Sequence, residues 1–217
     1  MKKMHMFALL ASTVSLLASC GSVVGSFVPP QELTNPAGLT GASLAPSDEL
    51  QVESVRGTIK YSTSTTAPPT SFEDFKFPDN IPFGIRPHGL AFKTGFASAL
   101  VSGPCTAPDS IKVSLKSVSI SVKDAVNSAA VTQTPTLVLT LTKTGTAAAG
   151  TTYAIAENSL TLSADAATSD AIINVLTTGG INDASFVAVV SADQNALAKC
   201  RMSFTLGTTT ATLSNFS

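Results

Sequence analysis

The chain has 217 residues, a formal net charge of −1 and only 12% charged residues. Soluble domains usually carry about 25% charged residues, so we expect a polar but weakly charged surface. Because Lys and Arg are scattered singly along the chain, the composition excludes recognition of nucleic acid, which requires a clustered basic patch.

The first nineteen residues contain the parts of an export signal. Two lysines, Lys2 and Lys3, precede an apolar run over residues 6–17. This run is too short for a membrane-spanning helix, which needs about 20 apolar residues. The run ends in Leu17-Ala18-Ser19-Cys20, which resembles the lipobox of bacterial lipoproteins.

This resemblance implies cleavage before Cys20, a diacylglycerol on the Cys20 sulfur and usually a third acyl chain on the new amino terminus. Gly21, in place of Asp, resembles outer-membrane sorting in some diderm bacteria. We therefore expect an exported protein anchored by lipid to a membrane, the outer one if the host is diderm. An ordinary secretory signal is the alternative, since the small residues before Cys20 suit that cleavage too.

Residues 20–47 are rich in Gly, Ser, Pro and Thr and show no sustained period. They are interpreted as the lipidated cysteine and a flexible tether, with a reach of about 30 Å. The alternative is an arm partly ordered against the domain. Residues 48–217 are expected to form a single β domain.

The dominant pattern after residue 48 is alternation of apolar and polar residues in short segments. A segment at 91–101 fits helical steps of four as well as a strand, and the β-rich surroundings favour a strand. The other predicted strands are 50–61, 111–123, 136–144, 159–164, 171–176, 186–191, 198–206 and 209–216. No convincing long amphipathic helix occurs, so this pattern predicts an all-β fold, an antiparallel β-sandwich. An immunoglobulin-like sandwich is one form that fits, and a closed β-barrel is the alternative.

Strand 111–123 changes phase in its middle. Ile111, Val113 and Leu115 share one parity, whereas the apolar residues from Val118 onward share the other. A β-bulge near Lys116 and Ser117 would turn both sets toward the core.

Two cysteines remain after Cys20. In an exported protein they can be oxidised, so we predict a disulfide between Cys105 and Cys200. Cys200 shares the parity of the apolar residues of its strand and is expected to point inward. Cys105 follows the turn-like pair Gly103-Pro104. The bond would therefore fix a loop against a core strand, and it argues against separate amino- and carboxyl-terminal domains.

Few residues suggest chemistry. His88, in Arg86-Pro87-His88-Gly89, is the only histidine after the leader, which excludes most metal sites with several histidines, and a lone loop histidine is usually solvated. Asp165, Asp170 and Asp183 flank predicted turns, and turn formation is preferred over calcium binding. No Gly-x-Ser-x-Gly elbow occurs. We expect no catalytic site, no metal and no cofactor.

The most distinctive stretch is 71–89, which is crowded with phenylalanine and proline. Its aromatic residues are Phe72, Phe75, Phe77 and Phe83. Aromatic loops on rigid scaffolds often bind partners or apolar ligands. The preferred alternative is that these rings close one end of the sandwich, because phenylalanine is usually buried.

Three functions remain in competition. The leading hypothesis is a noncatalytic cell-envelope module, structural or interacting, whose partner is an envelope protein or a surface polymer. The second is a binder of a small ligand or carbohydrate, with Tyr61 and Tyr153 as aromatic contacts, which the absence of Trp weakens. The third, an exported hydrolase, would depend on a site around His88.

Overall fold

The computed structural model describes residues 27–44, 46, 49–53, 58–62, 70–72, 85–177, 183–192 and 195–217. In these residues fourteen β-strands and one α-helix, α1 (Ala166–Thr177), are present. The strands in chain order are β1 (Gln31–Thr34), β2 (Gln51–Glu53), β3 (Thr58–Ser62), β4 (Thr70–Phe72), β5 (Pro87–Thr94), β6 (Phe96–Ser102), β7 (Ser110–Lys123), β8 (Ser128–Gln133), β9 (Val138–Ala147), β10 (Gly150–Ile155), β11 (Leu160–Ser163), β12 (Asp183–Ala192), β13 (Arg201–Leu206) and β14 (Thr210–Phe216).

The strands form two antiparallel sheets that pack against each other. The smaller sheet has the order β1-β14-β5-β11, and the larger has the order β13-β6-β10-β9-β7-β12-β3-β2, with β4 beside β12 and β8 beside β7. The predicted β-sandwich is confirmed, and the sheets do not close into a barrel. Immunoglobulin domains divide about seven to nine strands between their sheets, so this sandwich is larger than that form.

The bulge predicted in β7 is confirmed. Val189 of β12 lies opposite Ser117, but Val190 lies opposite Leu115, so Lys116 is the extra residue. The apolar residues on both sides of this bulge are buried, namely Ile111, Val113, Leu115, Val118, Ile120 and Val122. Without the extra residue, one of the two triplets would face solvent.

Helix α1 occupies the segment that the alternation assigned to a strand at 171–176, and this prediction is wrong. Ser169, Ile172, Ile173 and Leu176 are buried at steps of three and four, which is the spacing of one helix face. That face packs against β5, β7 and β8. The β-branched residues favoured a strand, and tertiary packing overrides this preference.

The start of α1 is capped by Asp165. Its carboxylate accepts a hydrogen bond of 2.8 Å from the backbone N–H of Thr168. This bond lowers the pKa of Asp165 below its ordinary value of 3.8. Asp165 was predicted to form a turn, and its more specific role is to cap this helix.

We expect the cap to make stability depend on acid. Since the pKa is lower in the folded chain, the contribution of Asp165 is complete above the ordinary value and is lost as the pH falls through the lowered pKa. Asp165→Asn keeps a capping oxygen without this titration. The urea midpoint should therefore fall less between pH 5 and pH 2.5 in the variant than in the wild type. Equal falls would contradict the capping role.

Several other segments differ from the sequence prediction. The segment 91–101 is β-structure as favoured, but Gly95 divides it between β5 and β6. The segment 50–61 is divided into β2 and β3. Cys200 lies before β13 rather than inside it, because Lys199 adopts a left-handed conformation with φ 66°. Strands β1, β4, β8 and β10 were not predicted.

The amino-terminal arm is ordered in the described residues 31–44. Strand β1 pairs with β14, and Gly41 and Leu44 donate backbone hydrogen bonds to Leu206 and Phe204 of β13. Leu39 and Leu44 are buried in the core. The prediction of a flexible tether over all of 20–47, with the domain beginning at 48, is therefore wrong for residues 31–44. This part of the chain forms the ordered arm that was the alternative.

The predicted disulfide joins Cys105 and Cys200, whose Cα atoms are 5.6 Å apart. Cys200 is fully buried, as its parity predicted. Leu50 donates a backbone hydrogen bond to the carbonyl oxygen of Cys200. The bond therefore lies where the start of β2, the loop at Cys105 and the start of β13 meet.

Candidate functional site

The proposed Phe-rich binding loop falls almost entirely outside the described residues. Phe75, Phe77 and Phe83 lie there, as does the lipidation site Cys20. Phe72 ends β4, which pairs with β12. Whether these rings bind a ligand or close the sandwich stays a prediction.

Of the two tyrosines proposed as aromatic contacts, Tyr153 is not accessible. It is fully buried in β10, and its hydroxyl group donates a hydrogen bond to the carbonyl oxygen of Pro108. Burial raises the pKa of Tyr153, and the Asp109 carboxylate raises it further. The role proposed for Tyr153 is wrong. Tyr61 lies in β3.

His88 is not a solvated loop residue, as was expected, but part of β5. Its Nδ1 atom lies 2.7 Å from the Asp170 carboxylate of α1, with both side chains partly exposed. Arg86, immediately before β5, donates a hydrogen bond to the side chain of Asn174, which lies one helical turn after Asp170. These contacts dock α1 on β5. Asp170 was therefore wrongly assigned to a turn, whereas Asp183 begins β12.

In the described residues, no group of three His, Cys, Asp or Glu side chains could hold a metal ion.

A more promising site lies at one corner of the sandwich, where the chain passes repeatedly from sheet to sheet. Strands β14, β5 and β11 are neighbours in the small sheet, and β13, β6 and β10 are neighbours in the same order in the large sheet. The three links are residues 207–209, Gly95 and residues 156–159. Three long bent strands therefore lie side by side at this corner, and the arm bends beside them at Pro36–Gly38.

Hydrogen bonds hold these bends together. The Asn158 side chain accepts from the backbone N–H of Phe96 at 2.9 Å and donates to the carbonyl oxygen of Phe96 at 2.8 Å. Gly207 donates to the carbonyl oxygen of Gly95 at 2.8 Å. The buried Thr209 accepts from the backbone of Asn35 and donates its own N–H to the Thr40 hydroxyl group. The corner is therefore a preformed structure.

A surface cleft of about 460 Å³ lies on this corner. Its charged groups are Glu32 of β1, Lys93 of β5 and Glu157 of the link before β11. Ser159, Thr208 and Thr210 add hydroxyl groups, and the remaining lining includes Ala97, Phe96 and Ile155. Mixed polar and apolar linings of this size are typical of sites for small ligands.

Sequence reasoning missed this cleft because its charged residues are far apart in the chain. In the sequence, only the glycines at the bends indicate this site. A Cβ atom on Gly95 would lie 2.6 Å from the backbone oxygen of Asn158, so this position requires glycine. An isolated glycine within an apolar segment can indicate such a close approach.

Comparison with protein-family models and with curated proteins gives no match for this chain. In the part of the chain that the structure describes, no helix is long and apolar enough to cross a membrane.

Proposed function

We propose that the protein is an exported lipoprotein, held on a membrane by lipid on Cys20, whose β-sandwich is a noncatalytic interaction module of the cell envelope. The observation that carries this proposal is the lipobox-like sequence Leu17-Ala18-Ser19-Cys20, which only ten residues separate from the start of β1. Even fully extended, ten residues span at most about 35 Å, so the domain would stay close to the lipid.

Strand β1 enters the small sheet close to the cleft. Gln31 lies opposite Leu213, which pairs with Leu90 in the middle of β5, and Thr34 lies opposite Thr210 at the corner cleft. Glu32, the residue after Gln31, lines the cleft itself. An anchor that precedes β1 would therefore keep the cleft close to the membrane.

The disulfide also supports export. Disulfides persist in oxidising compartments outside the cytosol. Cys105 and Cys200 are positioned to form one without movement of the backbone, since their Cα separation of 5.6 Å is in the usual range. With these two cysteines paired, Cys20 is the one remaining thiol for lipid attachment.

Substitution of Cys20 tests the anchor. We expect the wild-type chain, expressed in a bacterium fed labelled palmitate, to carry the label and to sediment with membranes. Cys20→Ala should abolish the label and leave an uncleaved precursor, because the lipoprotein peptidase requires the modified cysteine. Cys105→Ala serves as the matched control and should retain the label. Labelling that persists in Cys20→Ala would overturn the proposal.

A further inference from the structure

We propose that the corner cleft binds a neutral saccharide chain. This inference deepens the proposed function, since it identifies the partner of the interaction module as a surface polymer. It does not depend on the lipid, because the cleft is complete within the folded domain.

The size and rigidity of the cleft suit this ligand. Its volume of about 460 Å³ is in the range of about 300 to 1,000 Å³ that is common for ligand sites. The cleft is open to the surface, so a ligand can enter it and a longer chain can extend beyond it. Since Asn158 and the glycine contacts fix the bends before any ligand arrives, little conformational entropy would be lost on binding.

The polar groups match hydroxyl groups of a sugar. Carboxylates of Glu32 and Glu157 accept hydrogen bonds, Lys93 donates them, and the hydroxyl groups of Ser159, Thr208 and Thr210 can do either. No ion pair within the described residues joins Lys93 to either carboxylate. These groups therefore remain available to a ligand. Asn158 is already bonded to the backbone of Phe96 and Ala156, which makes it a positioning residue.

The charge of the cleft disfavours other ligand classes. Two carboxylates against one amine repel phosphates and acidic polymers. Ala97 and Ile155 provide an apolar surface against which the less polar face of a sugar ring can lie. A flat hydrophobic ligand would leave the charged groups without hydrogen bonds, which is costly. An uncharged ligand with many hydroxyl groups satisfies both kinds of lining.

Calorimetric titration of the full chain tests the proposal. The chain is kept in lauryldimethylamine oxide, whose headgroup contains no sugar, and titrated with the neutral probes triacetylchitotriose, cellotriose and maltotriose. We expect saturable binding of at least one trisaccharide. Glu157→Gln and Lys93→Met should each weaken that binding by about tenfold, because each removes a hydrogen bond to a charged group.

Glu49→Gln is the matched control, since Glu49 is exposed and lies outside the cleft. It should bind as the wild type does, and all variants should keep the urea midpoint of the wild type. The proposal is overturned if no trisaccharide binds. It is equally overturned if binding is unchanged in Glu157→Gln and Lys93→Met, or if the zwitterion alanyl-alanine binds in place of the sugars. These results are independent of palmitate labelling at Cys20.

Discussion

Replacing Cys105 and Cys200 together by Ala is expected to lower the free energy of unfolding by about 4 kcal/mol. The disulfide closes a loop between residues 95 positions apart, and a loop of this length strongly restricts the unfolded chain. Alanine at the buried position 200 introduces no polar group, so loss of the crosslink dominates the effect. Urea unfolding of the two proteins, followed by circular dichroism, measures the difference.

Reduction provides the control for this prediction. Unfolding in the presence of dithiothreitol should lower the stability of the wild type to that of the double variant and leave the double variant unchanged. A wild type that is insensitive to dithiothreitol would show that the two cysteines are not bonded. The same variant should also loosen the start of β2, because Leu50 is hydrogen bonded to the backbone of Cys200.

Gly95→Ala is expected to destabilise the domain by about 2 kcal/mol, the cost typical of overpacking a tight site. The new Cβ atom would lie 2.6 Å from the backbone oxygen of Asn158. That oxygen cannot move away freely, because the side-chain amide of Asn158 is hydrogen bonded to the backbone of Phe96 through both its oxygen and its nitrogen. The substitution would therefore separate the bends that form the corner.

Gly145→Ala is the matched control within the sandwich. Its Cβ atom would lie 3.6 Å from the Thr152 hydroxyl oxygen, which is an ordinary contact. Since alanine restricts the unfolded chain, this variant should be as stable as the wild type or slightly more stable. Equal urea midpoints for Gly95→Ala and Gly145→Ala would show that the corner tolerates a side chain and is not tightly fixed.

The sequence was most informative where one physical cause dominates. In β7 the alternation follows burial on one face, so even the bulge at Lys116 could be predicted. In α1 two causes compete. Ile172, Ile173 and Val175 have high strand preference, yet their spacing and the Asp165 cap favour a helix. The spacing and the cap are therefore sufficient to identify α1, but the contact between His88 and Asp170 depends on how the helix packs on β5.

The corner cleft could not have been predicted from local patterns. Glu32, Lys93 and Glu157 come from separate segments, and they meet only because three strands change sheets at the same level. Their proximity depends on how the strands pair in the folded chain. Apolar residues that recur with a period of 2 or 3.6 carry no information about that pairing. The ordered arm was only the alternative to a flexible tether, because backbone pairing with β13 and β14 stabilises it rather than a long apolar pattern.

The central claim is that Cys20 attaches this β-sandwich to a membrane, and mass spectrometry of the mature amino-terminal peptide tests it most directly. The claim predicts a first residue Cys20 that carries a diacylglycerol on its sulfur. An amino terminus at any other residue, or a peptide that starts at an unmodified Cys20, would contradict it.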